Sequence, residues 1–89
     1  MAKYSLRLKP SAAKEIESIG VQKIRRRVVE RISALGEEPR PPGCEKLSGQ
    51  KSLFRVRQGA WRIVYSIEDD VLMVVVVKVA HRREVYRRL

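Results

Sequence analysis

The sequence predicts an α+β fold: a small twisted, mainly antiparallel sheet with an N-terminal helical hairpin packed on one face, in the order β-α-α-β-β-β. Three observations predict it. Apolar residues recur at three- and four-residue spacing in the first half of the chain, they alternate with polar ones at a period of two in the second, and a proline-rich segment separates the halves. With 89 residues there is room for one core, so residues 1–89 are read as a single domain.

Lys3 to Leu8 alternate, with Tyr4, Leu6 and Leu8 on one side of an extended segment, and predict a short first strand. Pro10-Ser11 is a helix-entry signal; Ala12, Ile16 and Ile19 then form an apolar stripe that Gly20 stops. Val21, Ile24, Val28, Ile32 and Leu35 repeat the helical spacing, with Gly36 where a C-terminal cap belongs. The tight connection between the two helices predicts an antiparallel hairpin.

From Glu37 to Gly49 the chain carries Pro39, Pro41, Pro42 and Gly43, and reads as an ordered connector without regular structure. Ser52–Arg57 and Ala60–Ile67 are extended runs joined at Gln58-Gly59, and a second turn follows at Glu68-Asp69-Asp70. Val71 to Val79 is almost entirely β-branched, which suits a strand buried on both faces and joined to its neighbour as a meander. Periodicity leaves Arg82 to Leu89 open between a helical turn and an extended tail.

Twenty Lys and Arg against ten Asp and Glu give a formal charge of +10, on a chain with 44% hydrophobic residues. That apolar content excludes a disordered basic tail. So large a surplus on a small fold points to a polyanionic partner, nucleic acid or an acidic protein segment, and away from small-molecule metabolism. One Cys and one His cannot build a disulfide or a cysteine/histidine zinc site within one chain, which predicts a reduced, metal-free, cytoplasmic protein. No signal peptide is visible near Met1, and the longest aliphatic run falls far short of the ~20 residues that span a bilayer, so no membrane association is expected.

The charge is segregated. Between Glu45 and Glu68 there is no acidic residue, while Lys46, Lys51, Arg55, Arg57 and Arg62 all lie there. Strand alternation sends Arg55 and Arg57 to the face opposite Phe54 and Val56, and Arg62 to the face opposite Trp61, Ile63, Tyr65 and Ile67. If the apolar sides meet under the helices, the three arginines project together from an uncovered face. Exposed arginines on an antiparallel sheet are common, but three with no intervening carboxylate shift the reading toward phosphate binding.

The terminal His81-Arg82-Arg83-Glu84-Val85-Tyr86-Arg87-Arg88 adds positive charge and a tyrosine able to stack on a base, or to pack on the fold. Lys23, Arg25, Arg26, Arg27 and Arg31 read as the solvated side of an amphipathic helix that also steers toward RNA. Trp61, Phe54 and Tyr65 read as core. His81 is open between a structural hydrogen-bonding and a catalytic role.

These features together resemble the RelE/ParE superfamily of bacterial and archaeal toxins, and more specifically its RelE branch. The resemblance rests on Pro10 to Glu15, Lys46-Leu47-Ser48-Gly49, Phe54-Arg55-Val56-Arg57 with Gly59, Trp61-Arg62-Ile63-Val64-Tyr65 and His81 to Tyr86, in that order and spacing. It implies a toxin of a type II toxin–antitoxin system: a metal-independent, ribosome-dependent endoribonuclease that enters the decoding site of the ribosome and cuts mRNA. A partner is implied too, an acidic RelB-like antitoxin.

Position by position, the resemblance places the family's basic strand residues on Arg55 and Arg57, its phosphate-binding arginine on Arg62, its carboxyl-terminal arginine on Arg82 and its aromatic on Tyr86. Arg57, Arg62, Arg82 and Tyr86 are then expected to be catalytic, and Arg55, with the charge-bearing Lys46, Lys51, His81 and Arg83, to hold RNA. The 2′-hydroxyl would attack the adjacent phosphorus, leaving a 2′,3′-cyclic phosphate and a free 5′-hydroxyl. Arg57 is a poor general base, because a guanidinium is effectively always charged. Charge stabilisation is therefore expected to dominate, with His81 or Tyr86 as the alternative proton carriers. A ParE-like gyrase inhibitor without nuclease activity shares the scaffold, and a plain RNA- or DNA-binding module is the third reading.

Overall fold

A computed structural model describes residues 3–47 and 52–81. Its elements are β1 (Ser5–Leu8), α1 (Pro10–Glu17), α2 (Gln22–Glu37), β2 (Glu45–Lys46), β3 (Leu53–Gln58), β4 (Trp61–Glu68) and β5 (Met73–His81), with a short 3₁₀ turn at Asp69–Val71. Among the described residues the strands form one five-stranded sheet in the order β1-β5-β4-β3-β2. β2 to β5 pair antiparallel with their neighbours, while β1 runs parallel to β5.

Pro10 opens α1 at a position where its missing N–H costs nothing, and Ala12, Ile16 and Ile19 are buried as the stripe predicts. In α2 Val28, Ile32 and Leu35 of the predicted stripe are buried; Val21 and Ile24 stay exposed beyond the edge of the core. Gly36 is not a cap. It lies inside α2, where a β-carbon would stand 3.1 Å from the Tyr4 carbonyl oxygen, and its own carbonyl accepts the Tyr4 N–H at 2.8 Å. The glycine lets the entry to β1 press against the helix.

Phe54 and Val56 meet Ile63, Tyr65, Ile67, Val74, Val76 and Val79 beneath the helices, which is the face that strand parity predicts. The β3–β4 turn sits one residue later than expected, at Gly59-Ala60, because Gln58 pairs with Trp61; Gly59 has the positive φ of 61° such a turn demands.

Two expectations need correction. The connector contains the short strand β2, which pairs Glu45 with Arg55 and Lys46 with Phe54; two residues are too few to leave a periodic signal. The valine-rich run is not buried on both faces. Val71 and Leu72 are exposed in the turn, and β5 starts at Met73. Where Val64 pairs with Lys78 but Tyr65 with Val76, Val77 is the extra residue of a β-bulge. Leu6 and Leu8 of the edge strand β1 are exposed.

Candidate active site and nucleic-acid interface

The β3–β4 hairpin sets Arg57 directly opposite Arg62, with Arg55 opposite Val64 further along the same face. Together with Gly43, Glu45 and Val56, the three arginines line a cavity of about 150 Å³. Arg57 is exposed, Arg55 half-buried and Arg62 only 5% exposed. The expectation that all three project from an uncovered face is corrected at Arg62. It stands on β4 with strands on both sides, and Val64 and Ala80 on the same face are buried too.

Arg62 donates through Nη1 to the Trp61 carbonyl, at a long 3.5 Å. A buried guanidinium with so weak a contact, directly opposite a second arginine, is electrostatically prepared for an anion.

Glu45 corrects the reading of an acid-free region. In sequence it lies at the edge of that region, ten residues from Arg55, but β2 carries it across to form an ion pair with the Arg55 guanidinium. A carboxylate therefore lines the same cavity as the arginines. Sequence reasoning missed it because the signal was the pairing of a two-residue strand.

Trp61 and His81 pair across β4 and β5, and their rings meet edge to face with centroids 5.8 Å apart. Trp61 is packed against the core but is not fully buried. As the next residue after Trp61, Arg62 faces the other side of the sheet. The structure thus places His81 beside Trp61, away from the arginine cavity. Lys46 is exposed on β2 and pairs with Phe54. Lys51, Arg82, Arg83 and Tyr86 lie outside the described residues.

On α2, Lys23, Arg26 and Arg27 are exposed, Arg31 is half-buried, and Arg25 is committed to the fold, donating to the Ile19 carbonyl at 2.7 Å.

The connector is fastened from both sides. Tyr65 donates its hydroxyl to the Pro39 carbonyl at 2.7 Å, and burial pushes the phenol pKa up, so the donor stays protonated. Arg40 lies over the Phe54 ring, 5.4 Å from its centroid, and binds both oxygens of Asp69 at 3.2 and 2.8 Å. Tyr4 donates to the same carboxylate at 2.6 Å. The Arg40 guanidinium and then the Tyr4 hydroxyl hold the Asp69 pKa down at about 2. These contacts fix the segment that leads into β2, and with it Gly43 and Glu45. Among the described residues no three His, Cys, Asp or Glu side chains come together as a metal site, and no helix is long and apolar enough to cross a membrane.

Comparison with known proteins places this geometry in a family. The chain is 27% identical over 85 residues to Toxin RelG of Mycobacterium tuberculosis, covering 96% of this chain and 98% of that one. Among solved structures it resembles the toxin–antitoxin complex RelBE2 of the same organism, with a TM-score of 0.78 at 28% identity over 90% of this chain and 99% of that one. The archaeal RelE–RelB complex from Pyrococcus horikoshii matches with a TM-score of 0.79 at 26% identity, over 92% of this chain and 97% of that one. The model of the ParE toxins of type II toxin–antitoxin systems matches residues 6–86. The arginine-lined sheet is thus carried on a toxin scaffold, and the chain belongs to the ParE toxin family of the RelE/ParE superfamily.

Proposed function

We propose that this toxin is a ribosome-dependent endoribonuclease that cuts mRNA in the decoding site. The observation that carries this reading is the cavity in which Arg55, Arg57 and buried Arg62 converge. A phosphodiester brings negative charge to Arg57 and Arg62, and that charge grows on the pentacoordinate phosphorane as the 2′-hydroxyl attacks. Arg57 and Arg62 bind that charge more tightly in the transition state than in the ground state, which is what accelerates the step. Arg82 assists the departing 5′-oxygen and Tyr86 orients the ribose, as in the resemblance drawn from the sequence.

Glu45 supplies what the arginines cannot. Among the described residues lining the cavity, its carboxylate is the side chain that can accept the 2′-hydroxyl proton, and the ion pair with Arg55 holds it at the rim. The test is single-turnover cleavage of ribosome-bound mRNA read by primer extension. Arg62→Ala is expected to lower the rate by ~10²- to 10³-fold, the usual worth of a charge-stabilising donor. Near-normal cleavage by Arg62→Ala, with activity lost in His81→Ala, overturns the charge-stabilisation mechanism.

An antitoxin is the expected partner. The matched relatives RelBE2 and RelE–RelB are toxin–antitoxin complexes, and an acidic, amphipathic segment would neutralise part of the +10 charge and keep the toxin from the ribosome. The match to the ParE family model favours a second reading, a gyrase inhibitor with no nuclease step. Intact mRNA on translating ribosomes together with blocked supercoiling would establish that reading instead.

A further inference from the structure

A second concavity, of about 290 Å³, opens where the N-terminal half of α2 meets the end of the β3–β4 hairpin. Ile24 and Trp61 form its apolar walls, the Gln58–Ala60 turn its floor, and Arg27 and His81 its rim. Among the described residues no carboxylate lines it. Gly59 and Ala60 are small, so the floor stays open, and Trp61 is only half-buried, its ring meeting that of His81 edge to face. The groove adjoins the arginine cavity: the pair Gln58–Trp61 borders the groove, and the next pair, Arg57–Arg62, lines the cavity on the other face.

We propose that this groove is a nucleobase subsite for the RNA whose phosphate the arginines hold. This rests on the nuclease reading and names a further contact with the same substrate. An apolar slot with an indole wall suits the flat face of a base. The Gln58 amide offers both a donor and an acceptor to a base edge, and Arg27 at the mouth answers the attached phosphate. Arg26 and Lys23 extend the positive charge along α2 away from the groove. A base engaged around the hairpin end would hold the backbone against Arg57 and Arg62, and would give the enzyme a preference for the nucleotide next to the cut.

Trp61 is the only tryptophan in the chain, so its fluorescence reports on this groove directly. The experiment titrates the intact toxin with nucleoside monophosphates and with ribose 5-phosphate. Saturable quenching by at least one nucleotide is expected, with ribose 5-phosphate binding roughly 5- to 150-fold more weakly, the worth of one base stack. Arg27→Ala is expected to weaken the quenching several-fold, and Arg7→Gln, on the exposed edge strand β1, to leave it within about twofold. Absence of saturable quenching overturns the proposal. Quenching lost in Arg57→Gln but kept in Arg27→Ala overturns it too, placing the nucleotide in the arginine cavity. If only an antitoxin peptide quenches, the groove is a protein-docking surface and the proposal fails. No arm of the test uses ribosomes: a toxin that cleaves ribosome-bound mRNA but shows no quenching loses the subsite alone, and one that binds nucleotides but leaves that mRNA intact loses the nuclease reading alone.

Discussion

Glu15 on α1 accepts the backbone N–H of Val79 on β5 through Oε1 at 2.8 Å, while its Oε2 receives Lys78 Nζ at 2.9 Å. β1 pairs with β5 only as far as Leu8 opposite Val76, so among the described residues the last part of β5 has no strand on that side. The carboxylate supplies an acceptor that a longer β1 would have given, and steadies the strand that ends at His81. Glu15→Ala leaves the Val79 N–H without this partner and is expected to destabilise the fold by ~1–3 kcal/mol. Glu15→Gln, whose amide oxygen still accepts, should cost less than half as much. Urea denaturation checks both, and a Glu15→Ala protein as stable as the parent would remove the carboxylate from any account of the edge.

Asp69 ties Tyr4 at the start of the chain to Arg40 in the connector. Its folded-state pKa of about 2 lies below its ordinary 3.8, so its stabilising contribution is complete above the ordinary value and is lost as pH falls through the folded one. The melting temperature of the parent should drop in that acid window more steeply than that of Asp69→Asn. Parallel acid limbs for the two proteins would disprove the linkage.

Arg57 and Arg62 oppose each other in the sheet, so the fold carries a like-charge pair. Arg57→Gln is expected to raise stability by ~0.5 kcal/mol while lowering mRNA cleavage by at least about tenfold. Added sulfate should raise the parent's melting temperature more than that of Arg57→Gln, because an anion bound only to the folded state shifts the equilibrium toward it. Differential scanning fluorimetry across a sulfate series reads this out, with chloride at matched ionic strength as the control.

Tyr65→Phe removes the hydroxyl that holds Pro39 and keeps the ring that stacks on Phe54 at 6.0 Å. A loss of ~1 kcal/mol is expected, the net worth of one hydrogen bond, together with faster amide exchange in residues 40–47. Unchanged exchange there would mean that Arg40 alone anchors the connector.

The helices, the three long strands and the inward faces of β3 and β4 are legible in the sequence because each buries one side and so repeats at its own period. What escapes it depends on pairing between distant segments. Gly36 looks like a helix cap until Tyr4 is known to lie against it. Glu45 looks like the last acid before a basic stretch until β2 places it on Arg55. Parity alone puts Arg62 on the correct face, but its burial follows from the position of β4 between two other strands, which no local pattern encodes. Charge groups His81 with the arginines, whereas its register opposite Trp61 turns it to the other side of the sheet.

The bulge at Val77 makes β5 a strand with one spare letter. Val74 and Val76 point to the core, then Val79 and His81 lie on that side, so the inward set passes from even to odd numbers and Val77 absorbs the change. A chain that lost Val77 would keep every downstream pairing and still bring His81 to Trp61. One that lost Val79 or Ala80 and closed the bulge would set Lys78 opposite Ile63, on the core side. Single-residue deletions in this toxin should therefore be forgiven at one position of the strand and punished two or three residues later.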